Sequence, residues 1–116
     1  MAYVMAYAGA VPTAKRAEYE AHAETMAAIF KEYGATRIVE TWGASVPPGK
    51  VTSFPMAVQA GEGETVVLGW QEWPDRKTQE ARFQEAMQDP RMADLGDVPI
   101  NGKTMIFAGF DVLTDI

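Results

Sequence analysis

Two strand-like segments, residues 64–73 and 103–113, carry apolar side chains at both odd and even positions. In the first segment the even positions carry Val66, Leu68 and Trp70, and the odd positions carry Val67, Gly69 and Trp73. In the second segment the even positions carry Ile106, Ala108 and Phe110, and the odd positions carry Met105 and Phe107. Successive side chains of a strand point to opposite faces of a sheet, so a strand with one face in water alternates apolar with polar residues. These two strands therefore need apolar cover on both faces, which limits the folds that the chain can adopt.

Two other segments have the spacing of helices. The apolar residues of the first recur at intervals of four and three: Tyr19, Ala23, Met26, Phe30 and Tyr33. This spacing predicts a helix that begins with Thr13 as its N-cap and ends before Gly34, the left-handed residue expected after a helix. A second helix is predicted over residues 76–88, with Asp75 as its N-cap.

The remaining strands are predicted over residues 2–9 and 35–43, with a short additional strand at 54–60. One domain, residues 1–116, then has the order β-α-β-β-α-β. That order is typical of the α+β ferredoxin-like fold, an antiparallel sheet with two helices on one face. Because the helices cover only one face, we expect the other face to pack on a second copy of the chain, as a homodimer.

The acidic composition limits the partners of the chain. Its formal net charge is −6, which makes nucleic acids and anionic membranes poor partners. The chain has no Cys, one His and no nucleotide-binding or nucleophile motif, so neither a metal nor a cofactor is predicted. Its first eleven residues are apolar but lack a basic segment and are too few to span a bilayer, so we expect a soluble cytoplasmic protein.

Several segments of the chain, taken in order, resemble one family of proteins. They are Tyr3-Val4, Tyr33-Gly34-Ala35, the loop Val46 to Pro55 (VPPGKVTSFP), Glu64 to Val67 (ETVV), Asp89-Pro90-Arg91 and Gly102 to Phe110 (GKTMIFAGF). The central loop and the last strand are the most specific of these. With these residues the chain resembles the YbaA-like family of uncharacterised proteins, domain of unknown function 1428, over nearly its whole length.

The resemblance implies an architecture and no reaction. The YbaA-like family is similar to the dimeric α/β-barrel superfamily, in which two ferredoxin-like sheets pack face to face. That superfamily includes cofactor-independent oxygenases, haem-degrading oxygenases, small isomerases and proteins without known chemistry. The chain departs from the family pattern at Met5 and Ala6, where an acidic residue and a glycine are usual, and at His22, where an apolar residue is expected. The family implies no catalytic residues.

Two titratable residues are the candidates for catalysis. His22 lies at the edge of the apolar stripe of the first helix and is the side chain that titrates near neutral pH when unperturbed. Glu40 shares a strand face with Ile38 and Trp42, so burial of that face would either raise its pKa or pair it with a cation. Each could act as an acid or base in a pocket. The alternative is that both residues are structural. His22 would then be a partly buried histidine at a helix edge, and Glu40 would form an ion pair or face solvent.

Four residues are the candidates for ligand binding. Trp42 and Trp70 are predicted to line an apolar pocket for an aromatic ligand, with Tyr3 as a further aromatic and Lys50 near the mouth. The alternative is that the aromatic residues pack at a dimer or helix–sheet interface and that the loop with Lys50 wraps the partner subunit. Three functions stay open: a small-molecule binding protein, a cofactor-independent oxygenase- or isomerase-type enzyme, and a structural dimer without a ligand.

Overall fold

The computed structural model describes residues 2–116, and Met1 lies outside the described part. Four strands form one antiparallel sheet in the order β2-β3-β1-β4, which is the ferredoxin-like order. Along the chain the elements are β1 (Tyr3–Pro12), α1 (Arg16–Glu32), β2 (Arg37–Glu40), α2 (Phe54–Ala57), β3 (Glu64–Trp73), α3 (Arg76–Met87), α4 (Pro90–Asp94) and β4 (Ile106–Asp111). The predicted fold class is confirmed.

The pairing of the strands decides which residues share a face of the sheet. β1 pairs with β3 along its whole length, from Tyr3 opposite Trp73 to Pro12 opposite Glu64, and pairs with β4 on its other side. Odd-numbered residues of β1 and β3 face α1 and α3, and several of them are buried in the core: Tyr3, Val11, Val67 and Trp73. In the register of β2, Ile38 and Glu40 lie on this same face.

The opposite face of the sheet is apolar and is only partly covered. Val58, which directly follows α2, packs with Ala8, Ala10 and Val66 at one end. The rest of this face includes Trp70 and the even-numbered residues of β4, of which Phe110 is 55% exposed. The structure therefore confirms that both faces of the sheet are apolar, and it leaves the second face largely uncovered in the single chain.

Two predicted local features are wrong. Residues 54–57 form helix α2, because the side chain of Ser53 accepts a hydrogen bond from the backbone N–H of Met56 (3.1 Å) and Pro55 lies in the first turn. Thr13 does not cap α1: it begins a short 3-10 turn, and its hydroxyl is hydrogen-bonded to that of Thr65 (2.7 Å). The assignment of Thr13 as the N-cap is wrong because β1 extends to Pro12, beyond the predicted end at residue 9, and α1 begins later, at Arg16.

Two other predicted helix ends are confirmed. Gly34 has a φ of +119° directly after α1, a conformation that favours glycine. Asp75 accepts a hydrogen bond from the backbone N–H of Thr78 (2.7 Å) at the start of α3. Within residues 2–116, no helix has the length and apolar content needed to cross a membrane.

Candidate functional site

A cavity of about 440 Å³ lies between the helices and the sheet. Its walls are mostly apolar and come from α1, α3, the sheet and the segment before β4: Met26, Phe30, Phe83, Met5, Ile38 and Ile100. Small residues on α1, Ala23 and Ala27, line it where the helix crosses the sheet. Their short side chains do not fill the space between the two layers, and a cavity remains there.

One wall of the cavity is the ring of Tyr7, which lies across the neighbouring strand. A Cβ atom added to Gly69 would lie 2.6 Å from the Tyr7 Oη, so the absence of a side chain at this position lets the ring approach β3. Phe107, the β4 residue opposite Tyr7, also lines the cavity and is 67% exposed. The cavity therefore reaches solvent on the β4 side.

The polar end of the cavity is formed by Glu40 and Tyr19. The Tyr19 hydroxyl donates a hydrogen bond to Glu40 Oε2 (2.8 Å). Burial raises the pKa of Glu40 to about 7 and the pKa of Tyr19 to about 12. Among the described residues no Lys or Arg forms an ion pair with Glu40. Near neutral pH this carboxyl therefore exchanges a proton readily, and the tyrosine hydroxyl stays protonated.

His22 reaches the same cavity from α1. Its Nδ1 is buried, and no group of residues 2–116 makes a hydrogen bond to it. Buried polar atoms of proteins are nearly always hydrogen-bonded. The hydrogen-bonding capacity of this nitrogen is therefore unused in the structure, and a ligand could reach it only after the ring turns toward the cavity.

Trp42 lies just outside this cavity. It lines an open groove of about 410 Å³ between α1 and the β2 edge, together with Arg16 and Thr41. The ring centroids of Trp42 and Tyr19 are 6.3 Å apart, and the Arg16 guanidinium lies 5.4 Å from the centroid of the Trp42 ring. Glu40 lines both the groove and the cavity. Trp42 is thus separated from the cavity by the Tyr19–Glu40 pair.

The other three predicted ligand-binding residues lie away from the cavity. Trp70 is on the opposite face of the sheet, where its indole N–H donates to Glu72 (3.0 Å), so its predicted place beside Trp42 is wrong. Tyr3 faces the helices but is buried in the core. Lys50 is exposed in the loop before α2. Of the sequence-predicted residues, the structure brings together His22 and Glu40.

The sequence identifies Tyr19 and Tyr7 as aromatic residues that either line a pocket or pack at an interface, and it does not identify Tyr19 as the partner of Glu40. The position of Tyr7 depends on the glycine across the strand. Gln71 was not considered; it is buried, lines the cavity and accepts a hydrogen bond from the Trp73 indole (3.2 Å). A polar residue within a strand that is apolar on both faces is a signal that could have identified Gln71.

Comparison with known proteins settles the family. The family model described as protein of unknown function DUF1428 matches residues 2–107. The chain belongs to the DUF1428 family. It is 47% identical over 116 residues to the uncharacterized protein YbaA of Escherichia coli (strain K12), with 99% of each chain covered. The resemblance found in the sequence is confirmed.

Solved structures with the same fold have low sequence identity to this chain. One is SnoaB, a cofactor-independent oxygenase from Streptomyces nogalater, with a TM-score of 0.59 and 13% identity over 99% of this chain and 96% of SnoaB. Another is a dimeric ferredoxin-like protein from an uncultured marine organism, with a TM-score of 0.58 and 13% identity over 100% of both chains. At this identity the likeness establishes the fold alone.

Proposed function

We propose that each subunit of this protein binds one small, mainly apolar molecule in the cavity between the helices and the sheet. The observation that carries the proposal is an apolar cavity whose polar end is a carboxyl group without a cationic partner. Its volume lies in the range of about 300–1,000 Å³ that is usual for small-molecule sites. A molecule of two fused rings fits this size.

The polar groups of the cavity favour a neutral ligand with a hydrogen-bonding group at one end. Glu40 Oε1 has no hydrogen-bond donor among the described residues, and His22 Nδ1 is unpaired. Neither Lys nor Arg lines the cavity, so an anionic ligand would have no counter-ion there and would face the Glu40 carboxyl. We therefore expect hydroxylated or carbonyl-bearing aromatic compounds to bind better than aromatic acids.

We propose further that the protein is a homodimer through the open sheet face. An apolar face containing Phe110 and Trp70 is costly to expose, and a second copy offers a face of the same composition. A structural neighbour is described as dimeric, which supports this arrangement. The exposed side chain of Val51 in the central loop is accounted for if residues 46–55 lie against the partner. Location in the cytoplasm stays a prediction from the sequence.

The binding proposal is tested by filling the cavity. Ala27 lines the cavity and also the groove beside it, whereas its neighbour Ala28 is exposed on the same helix. We expect 2-naphthol to raise the melting temperature of the wild-type protein and of the Ala28→Phe control, and not of Ala27→Phe. Native mass spectrometry of the same samples gives the stoichiometry, expected to be one molecule per chain. Equal responses of the two variants would show that 2-naphthol binds elsewhere and would reject the cavity as the site.

A further inference from the structure

We infer that Glu40 is a catalytic residue that removes a proton from the carbon next to the carbonyl group of a neutral aromatic ketone bound in the cavity. This inference rests on the proposed binding function and adds a reaction to it. It places the chain among isomerase-type enzymes that work without a cofactor. It is carried by the hydrogen-bonded pair of Glu40 and Tyr19 at the polar end of an apolar cavity that His22 also lines.

The hydrogen bond from Tyr19 fixes the carboxyl group for this step. It occupies Glu40 Oε2 and leaves Oε1 without a donor from the described residues. A base must lie within hydrogen-bond distance of the proton it takes, and a carboxylate held by one oxygen presents the other in a fixed direction. The Tyr19 hydroxyl also stabilises the ionised form of Glu40 between turnovers, since it donates to the negative charge.

The surroundings of Glu40 give it the strength that the reaction needs. Burial raises the pKa of Glu40 to about 7, so that near neutral pH the carboxyl is partly ionised and its ionised form is a stronger base than an ordinary glutamate. The titratable groups that face it are Tyr19 and His22 from α1 and Tyr7 from β1. On the other side of Glu40, the charged residues of α1 that line the groove beside Trp42 are Arg16, Glu20 and Glu24. The cavity lining from α3 and from residues 98–107 has no titratable group.

His22 supplies the complementary group for the carbonyl oxygen. When the proton leaves the carbon for Glu40 Oε1, the electron pair of the C–H bond forms a C=C bond and the carbonyl pair moves onto oxygen, giving an enolate. In the structure His22 Nδ1 is buried; once the ring turns this atom toward the cavity, the tautomer that carries the proton on Nδ1 would donate a hydrogen bond to that oxygen. If protonated Glu40 first trades that proton with water, return of a solvent hydrogen to the same carbon gives exchange; return of a proton to a conjugated carbon gives an isomer. Neither outcome needs an oxidant or a reductant.

Proton exchange into solvent tests the inference directly. The probe is 2-tetralone in D₂O, and nuclear magnetic resonance follows the loss of its α-proton signals. We expect wild type to exchange them at least 100-fold faster than Glu40→Gln, the usual contribution of a positioned base, while both proteins bind the probe with affinities within about threefold. Glu18→Gln, at an exposed position on α1, should exchange as fast as wild type.

The pH profile separates catalysis from a structural effect. The exchange rate of wild type should rise with pH and level off above about pH 7, where Glu40 is ionised. In Tyr19→Phe the midpoint should move upward, because the donor to the carboxylate is lost. Binding of 2-tetralone without exchange above the rate of Glu40→Gln would overturn the inference and leave the binding function standing. If neither 2-tetralone nor 2-naphthol binds, the binding proposal fails and the inference falls with it.

Discussion

Replacement of Glu40 by Gln should make the ligand-free protein more stable at alkaline pH. The folded protein holds the proton of Glu40 more tightly than the unfolded chain does, because burial raises the pKa from 4.5 to about 7. Folding therefore becomes less favourable as the pH rises from about 4.5 to above 7, where the ionised carboxyl lies in an apolar cavity without a cation. Glutamine is neutral at all these pH values and still offers an oxygen to the Tyr19 hydroxyl.

The size of the effect follows from the same pKa change. At about 1.4 kcal/mol per pKa unit, the full shift from 4.5 to about 7 corresponds to at most roughly 3–4 kcal/mol. Glu40 also lines the open groove beside Trp42, so solvent screens part of this energy. We expect Glu40→Gln to increase the free energy of unfolding by roughly 1–2 kcal/mol at pH 8 and by less than about 0.5 kcal/mol at pH 4.

Urea denaturation of wild type and Glu40→Gln at pH 4, 6 and 8 measures this difference. Protein concentration must be held constant, since the stability of a dimer depends on it. Glu62→Gln, at an exposed position in the turn before β3, serves as the control and should differ from wild type by less than Glu40→Gln at every pH. If instead Glu40→Gln is less stable than wild type and the difference is larger at pH 8 than at pH 4, the ionised carboxylate stabilises the fold. That result would refute the claim that the ionised carboxyl of Glu40 destabilises the fold because it is buried without a cation.

Three further substitutions test the fold and the proposed interface. Phe110→Lys on the open sheet face should shift the protein from dimer to monomer in sedimentation, whereas Phe107→Lys on the opposite face of the same strand should leave the dimer intact; equal behaviour would contradict that interface. Ser53→Ala should lower the free energy of unfolding by about 1 kcal/mol in urea, since α2 loses its N-cap, and an unchanged midpoint would contradict the cap. Gly69→Ala should cost about 1–3 kcal/mol and weaken 2-naphthol binding, because the new methyl group displaces the Tyr7 ring; unimpaired binding would contradict this wall of the cavity.

The parts of the fold that the sequence predicted well are those with a local cause. β3 was placed at residues 64–73, the same bounds as in the structure, because a turn precedes it and Pro74 follows. Asp75 was identified as a cap from its position before a helical segment. The misassigned residues 54–57 lack such a signal, because apolar residues next to proline suit a strand edge and a first helical turn equally well.

The candidate site was harder to predict, because it depends on contacts between distant residues. Both faces of β3 are apolar, so parity alone could not decide whether Trp70 or Gln71 faces the helices. The contact of Glu40 with Tyr19 likewise depends on how α1 crosses β2. Glu40 and His22 were found because a charged residue on an apolar strand and a histidine on an apolar helix edge are unusual in themselves.

The position of Glu40 between two different spaces affects how protons travel. On one side the residue lines the cavity, which has mainly apolar walls; on the other it lines the groove that Arg16 and Trp42 border at the surface. A proton taken up from the cavity side can therefore leave to water through the groove. The occupant of the cavity need not move for this exchange to happen. Solvent hydrogen would reach a bound molecule through a single side chain, while the molecule itself stays out of water.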